Sequence, residues 1–306
     1  MTTTFKTMPT SALPRPAGRP WIIAALGVAI VLGLGACSLI KLGYSQASPL
    51  VFRWLDRYVD FDDAQALRAR AALDDALAWH RRSQLPDYVQ LLERAEVEVL
   101  GEATPERMCA WATEIRSRVE PVLERLAPAV ADIAVTLTPA QLAHIEKRFA
   151  ETNEEFRDDH LQRNPKRRER ANVRRAIDRA EMLYGRLDDA QRELVAEHVR
   201  ASPYRAELAD AERKTRQQEA IAFLRRLRDT SPGGDDALEQ VRAFLHAIDR
   251  SPREEHRRYV ERLTAHNCAL ASDLHNATSP EQRREAARRL KGYRDDLRAL
   301  MGESAG

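Results

Sequence analysis

Five short segments share one way of starting a helix, and they constrain this chain more than any other feature. Thr104-Pro105-Glu106, Thr138-Pro139-Ala140-Gln141, Ser202-Pro203, Ser251-Pro252-Arg253-Glu254 and Ser279-Pro280-Glu281-Gln282 each set a hydroxyl before a proline. The hydroxyl can accept from the first free backbone N–H groups, and proline at the first helical position lacks only an N–H that would be unpaired anyway. In three of the five, Gln141, Glu254 or Gln282 at the third helical position completes a capping box. Apolar residues then recur at helical spacing, as in Val173, Ile177, Ala180, Tyr184 and Leu187, or Ala286, Leu290, Tyr293, Leu297 and Leu300. Glycine is sparse, at 12 in 306 residues, and strand-like alternation is missing from most of the chain. The expected fold is all-α, an elongated multi-helix bundle of about nine to ten helices. Pro121 should kink or end the helix that begins near Pro105. Ser231-Pro232-Gly233-Gly234 is the clearest break and divides a main helical domain, 49–230, from a C-terminal helical unit, 235–303, that packs back on it. No sequence repeat stands out beyond the capping signals.

The first forty residues bear on location. Residues 1–20 carry Lys6, Arg15 and Arg19 and no acid, and an apolar run from Trp21 to Leu34 follows. A basic start, an apolar core and small residues before a cleavage point are the layout of a secretory signal. Leu34-Gly35-Ala36-Cys37 resembles the lipobox of bacterial lipoproteins. The resemblance implies removal of residues 1–36, lipidation of Cys37 and anchoring to a membrane through a tether over 37–48. Ser38 after the cysteine implies, by likeness to Gram-negative lipoproteins, the outer membrane and a body facing the periplasm. The competing reading is an uncleaved anchor, because Trp21–Ile40 could just span a bilayer. Either way the bulk of the chain lies outside the cytoplasm. With 49 Lys and Arg against 47 Asp and Glu, a strongly basic nucleic-acid binder is excluded.

Two further cysteines, Cys109 and Cys268, sit beside stripes at helical spacing: Met108, Ala112, Ile115, Val119, Val122 and Leu126 for the first, Val260, Leu263, Asn267, Leu270 and Leu274 for the second. An oxidising compartment favours a bridge between them, and two inert buried thiols are the alternative.

The search for chemistry returns little. None of the eight histidines has Asp or Glu three or four residues before it, so the metal-binding helix patterns are missing. His246 and Asp249 form an isolated His/acid pair, and no nucleophile elbow or phosphate loop occurs. No catalytic residue, metal site or cofactor is expected. His80, at the end of the stripe Ala66, Ala69, Leu73 and Leu77, reads as a packed histidine with one ring nitrogen bonded. The strongest charge pattern is an acidic block, Glu151, Glu154, Glu155, Asp158 and Asp159, followed by Arg163, Lys166, Arg167, Arg168, Arg170, Arg174, Arg175 and Arg179. These eight cations are the candidate face for an anion or partner, against the plainer reading of a solvated helix tied by acid–base pairs to a neighbour.

Two resemblances extend these readings. Tyr44, Trp54-Leu55-Asp56-Arg57-Tyr58-Val59-Asp60-Phe61, Trp79-His80-Arg81, Leu85-Pro86-Asp87-Tyr88 and Asn267-Cys268 with Leu274-His275-Asn276-Ala277-Thr278 resemble an uncharacterised family of Gram-negative envelope lipoproteins carrying a domain of unknown function. Leu137-Thr138-Pro139-Ala140-Gln141, with Leu187-Asp188-Asp189-Ala190-Gln191 as a looser echo, is similar to the LTxxQ signature of periplasmic chaperones of the Spy and CpxP type. The first implies location and fold, since that family brings no known reaction, ligand or partner, and the second implies client binding. With the catalytic motifs missing, the expectation is a non-catalytic envelope protein that binds a protein partner or client, with a scaffolding lipoprotein of a membrane complex as the alternative.

Overall fold

The computed structural model describes residues 43, 44, 46–249 and 251–302, with the side chains of 248 and 249 excepted. Residues 1–36, Cys37 and most of the 37–48 tether lie outside the described residues. All described secondary structure is helical. Twelve α-helices follow in order: α1 Ala47–Val59, α2 Asp63–Ser83, α3 Leu85–Glu98, α4 Pro105–Arg116, α5 Glu120–Ala134 and α6 Pro139–His160. Then come α7 Pro165–Tyr184, α8 Asp189–Ala201, α9 Ala206–Thr230, α10 Gly234–Asp249, α11 Glu254–Asn276 and α12 Pro280–Gly302. The number exceeds the nine to ten expected because two junctions are very short. Gln84 alone separates α2 from α3, and a turn over 117–119 separates α4 from α5 just before Pro121. That turn also leaves Ile115 and Val119 exposed, so the stripe beside Cys109 is not buried along its length. Pro128 lies inside α5 without ending it, where Ala127, Ala131 and Ala134 pack against Phe223 and Leu227 of α9 and Ala237 and Val241 of α10.

The hydroxyl–proline signals divide into two kinds. Thr104, Thr138 and Ser279 each accept from the backbone N–H three residues on. Ser202 and Ser251 instead accept from the N–H two residues on, at Tyr204 and Arg253, and the helices begin only at Ala206 and Glu254. A serine hydroxyl can close a local turn as readily as cap a helix, and at these two sites the turn prevails.

Four complete capping boxes organise the fold. Gln65 and Asp62 open α2, Gln141 and Thr138 open α6, Gln191 and Asp188 open α8, and Gln282 and Ser279 open α12. The glutamines then join in pairs. Gln141 Nε2 donates to Gln65 Oε1 at 2.6 Å and to the Asp60 carbonyl at 2.8 Å, while Gln65 Nε2 donates to the Thr136 carbonyl at 3.2 Å. In the second pair Gln191 Nε2 donates to Gln282 Oε1 at 2.7 Å and to the Ala277 carbonyl at 2.9 Å. Gln282 Nε2 donates back to Gln191 Oε1 at 2.9 Å and to the Arg186 carbonyl at 3.0 Å. In every case the carbonyl lies five residues before the partner glutamine. Gln65 and Gln191 are 0% and 3% exposed, so these amides have no recourse to water.

The two clasps reveal an internal repeat that a search limited to capping signals passes over: Phe61-Asp62-Asp63-Ala64-Gln65 returns as Leu187-Asp188-Asp189-Ala190-Gln191. The packing repeats with it. Helices α1, α2, α5 and α6 pack around the first clasp as α7, α8, α11 and α12 do around the second. The intervening pairs are exchanged: α3 and α4 lie on α12 and α11, whereas α9 and α10 lie on α6 and α5. The described residues thus form one compact unit. After the turn at 231–234, α10 joins the first group while α11 and α12 build the second.

The exchanged α3–α4 connection is held by a dense seam. The Cys109–Cys268 disulfide, with Cα atoms 5.3 Å apart, ties α4 to α11 across 159 residues, a closure worth about 5 kcal/mol at most in the chain-entropy model. His275, 1% exposed, donates from Nε2 to the Gly101 carbonyl at 2.7 Å, and its Nδ1 accepts from the Tyr184 hydroxyl at 2.9 Å. Burial holds the His275 ring below its ordinary value, against the hydrogen bond to Gly101, and the nearby Arg283 adds to the effect. Burial also pushes Tyr184 up to about 12. Both groups are therefore neutral in the folded chain.

Replacing Gln282 by Ala should lower the unfolding free energy by roughly 1–3 kcal/mol, because it takes a partner from the buried Gln191 amide; urea unfolding measures it. The His275 shift predicts a pH dependence. Unfolded chains bind the His275 proton near pH 6.5 and the folded chain does not, so stability is full above that pH and falls as pH drops through it. Thermal melts between pH 8 and pH 5 should show this fall, and His275→Gln should make it shallower.

Candidate binding surface

The cationic run occupies the 161–164 linker and α7. Asn164 caps α7 by accepting from the Lys166 and Arg167 N–H groups. The first turn contains no acid and instead carries Lys166, Arg167 and Arg168. Cations beside a helix N-terminus oppose its dipole, each by about 0.3–1 kcal/mol at low ionic strength.

Two of the eight cations are tied down. Arg168 pairs with Glu207 of α9 at 3.0 Å, and Arg175 donates to Asn172 Oδ1 at 2.5 Å and to His160 Nδ1 at 3.3 Å. The other six, Arg163, Lys166, Arg167, Arg170, Arg174 and Arg179, are exposed and have no hydrogen-bond or ion-pair partner among the described residues. The acidic block does not supply one. Glu151 pairs with Arg148 and Lys147, and Glu154 with Arg157, all within α6. Arg167, Arg170 and Arg174 follow one another at helical spacing and form an unneutralised ridge. Beside it lies a cleft of about 270 Å³ lined by Arg168, Asn172, Tyr204, Arg205, Ala206 and Glu207, polar apart from Ala206 and the Tyr204 ring. Burial first, then Arg175 and Arg179, hold His160 below its ordinary value, so the end of α6 adds no countercharge problem of its own.

Elsewhere cations are mostly matched. Arg253 binds Glu212 at 2.6 Å and Glu219 at 2.6 Å, joining α11 to α9. Burial opposes ionisation of Glu212, but hydrogen bonds from Arg253 and Arg216 outweigh it and bring the carboxyl down to about 2. Arg294 reaches Glu96 at 2.9 Å, and Arg242 reaches Glu124 at 2.9 Å, each across an exchanged pair. Against that background the α7 run gathers six cations without a partner among the described residues in one stretch, 163–179.

The remaining candidates resolve into structural roles. His80 Nδ1 lies 3.1 Å from the Tyr44 hydroxyl, and its ring meets Tyr88 edge-on at 5.3 Å. Burial lowers its proton affinity. His246 stands 3.6 Å from Glu124 and 3.9 Å from Glu120 on an exposed surface, and the Asp249 side chain lies outside the described residues. Among the described residues, no group of three or more His, Cys, Asp or Glu could hold a metal ion, and no helix is long and apolar enough to cross a membrane. Sequence reasoning missed His275 as a buried group and the pairing of the four glutamines. The Asp-Asp-Ala-Gln repeat was the signal available for the second of these.

The Leu274–Thr278 segment quoted for the family likeness is structural: Ser272, His275 and Asn276 all bind the 101–103 backbone of the exchanged connection. No curated protein and no solved structure matches the chain. A family model does match residues 57–247, from the end of α1 through most of α10. It includes the first clasp, both exchanged pairs and the whole cationic ridge. The chain therefore belongs to a family of unknown function (DUF6279).

Proposed function

We propose that this chain is a lipid-anchored protein of the bacterial envelope that acts by docking a protein partner through an acidic surface, not by catalysis. The observation that carries the reading is the α7 ridge. Six exposed cations without partners, three residues of the basic run at a helix N-terminus, are unfavourable to the isolated fold. An anionic partner would relieve both the mutual repulsion and the opposition to the dipole. Arginine suits this role because its planar fork binds carboxylates in pairs.

Between holding unfolded clients and docking a folded partner, the surroundings of the ridge favour docking. A chaperone-like cradle needs apolar surface next to the cations, and the adjoining cleft is instead lined mainly by Arg168, Asn172, Arg205 and Glu207. Ion-paired faces such as those through Arg242, Arg253 and Arg294 also suit a scaffolding lipoprotein. Membrane attachment rests on the Leu34-Gly35-Ala36-Cys37 segment, and Cys37 is the acceptor of the lipid.

Changing Arg167, Arg170 and Arg174 together to Glu tests the docking face. Stability should not fall, since none of the three has a partner to lose, and Arg167→Glu in the first turn should raise it by about 1 kcal/mol by reversing the opposition to the dipole. A photo-crosslinker at Lys166 should capture a partner in cells carrying the parent chain and lose it with the triple variant; equal capture would refute the assignment. For the anchor, Cys37→Ala should accumulate as an unprocessed precursor, and normal processing of that variant would exclude lipidation.

A further inference from the structure

Helix α1 has two apolar faces, and only one of them is used by the fold. Phe52, 3% exposed, packs with Ala69 and Leu73 of α2, and Leu55 joins the same cluster. On the other side Trp54 is 55% exposed, Leu50 50% and Val51 39%, with the Tyr58 ring 5.0 Å from Trp54. At helical spacing Leu50, Val51 and Trp54 make one continuous exposed stripe, while Tyr58 at its end is half-buried, with the Phe149 ring 6.1 Å away and Arg148 over its face. Arg53 and Arg57 flank it, both exposed, and neither has an ion-pair partner among the described residues. Asp56, the acid of this helix, is turned away and accepts from the Phe61 N–H at 3.1 Å.

The internal repeat provides a control for whether the fold needs this stripe. Glu181 accepts from the Leu187 N–H as Asp56 accepts from that of Phe61, and Gly185 ends α7 at positive φ as Asp60 ends α1. Aligned on those pairs, α7 carries Arg179 where α1 has Trp54 and Arg175 where it has Leu50. The helix packs in the same place with the exposed Arg179 at the Trp54 position, so packing does not require an apolar residue there, whereas Ala176 and Leu183, at the Val51 and Tyr58 positions, do pack in the second core.

The covalent path narrows what could cover them. The Tyr44 hydroxyl donates to the Leu77 carbonyl at 3.2 Å, which fixes the chain just before α1. Fully extended, the stretch from Cys37 to Tyr44 reaches at most about 25 Å. A lipidated Cys37 would hold α1 that close to the bilayer. An aromatic and aliphatic stripe with arginines at its edge matches the boundary between anionic headgroups and acyl chains.

We propose that the outward face of α1, Leu50, Val51 and Trp54 with Arg53 and Arg57, lies in the headgroup region of the membrane that holds the anchor. The proposal rests on the lipid-anchored reading above, and its test separates the two. The full processed chain is purified from membranes and reconstituted in vesicles of phosphatidylethanolamine and phosphatidylglycerol. Trp54 emission is isolated by subtracting the spectrum of Trp54→Phe. Lipids brominated near the headgroup end of the acyl chain should quench it about twofold, and those brominated deep in the chain much less, as for a helix seated about 5–10 Å into the boundary. Leu50→Asp should abolish the quenching, and Arg53→Gln with Arg57→Gln should reduce it in proportion to the anionic lipid present. Trp54 that brominated lipids leave untouched, and that acrylamide quenches as fully as in detergent, would overturn the proposal, whether a second copy or another protein covers the face. The mass of the same preparation reports the acyl chains on Cys37. A chain without them refutes the anchor, while the quenching result still decides the seating of α1.

Discussion

The fold depends on buried amides that satisfy one another. Each clasp brings together two helix N-termini whose glutamines have already closed a capping box, so each side chain serves its own helix and the opposite loop at once. In a dry interior an amide without a partner is expensive. The clasp therefore tolerates only one register between α2 and α6, or between α8 and α12. Leu137 and Leu187, 4% and 1% exposed, plug the core immediately beside the paired amides and keep water from competing. Polar specificity and apolar burial act at the same few residues.

Exchange of the α3–α4 and α9–α10 pairs makes the two clasped groups dependent on each other. Neither group can complete its core from its own half of the chain, since α9 and α10 supply Phe223, Leu227 and Val241 to the first and Val99 beyond α3 packs in the second. Long-range closure is slow and entropically costly. The second group has the disulfide and the His275–Tyr184 seam to hold its borrowed pair. The first instead relies on small alanines that let α5 approach closely and on the stacked Phe223–Phe244 rings, 4.2 Å apart. The repeat thus uses one topology with two means of securing it.

The same duplication separates structural from functional surface. Equivalent positions on α1 and α7 are free to differ outward because inward packing is satisfied by Phe52 on one and Ile177 and Tyr184 on the other. One outward face is aromatic and aliphatic, the other basic. Most remaining charge is consumed in ion pairs that contribute little individually at an exposed site, which is why the unpaired ridge and the uncovered stripe carry more information than the pairs.

Helical content, the α4–α5 break before Pro121, the turn at 231–234 and the Cys109–Cys268 bridge were legible in the residues themselves, because capping, proline sterics and thiol chemistry act within a few positions or by plain residue type. The start at Ser202-Pro203 was misread because a serine can cap or turn, and only the chain's later course decides which. Pairing of Gln65 with Gln141 and of Gln191 with Gln282 lay beyond local reasoning: an amide that caps its own helix gives no sign of what its second N–H will meet. Burial of His275, freedom of the α7 cations and exposure of Trp54 likewise depend on which helices pack where. Sequence determined that these would be helices with these faces. Tertiary structure alone decided which faces were covered, because coverage belongs to pairs of helices distant in the chain and not to either one.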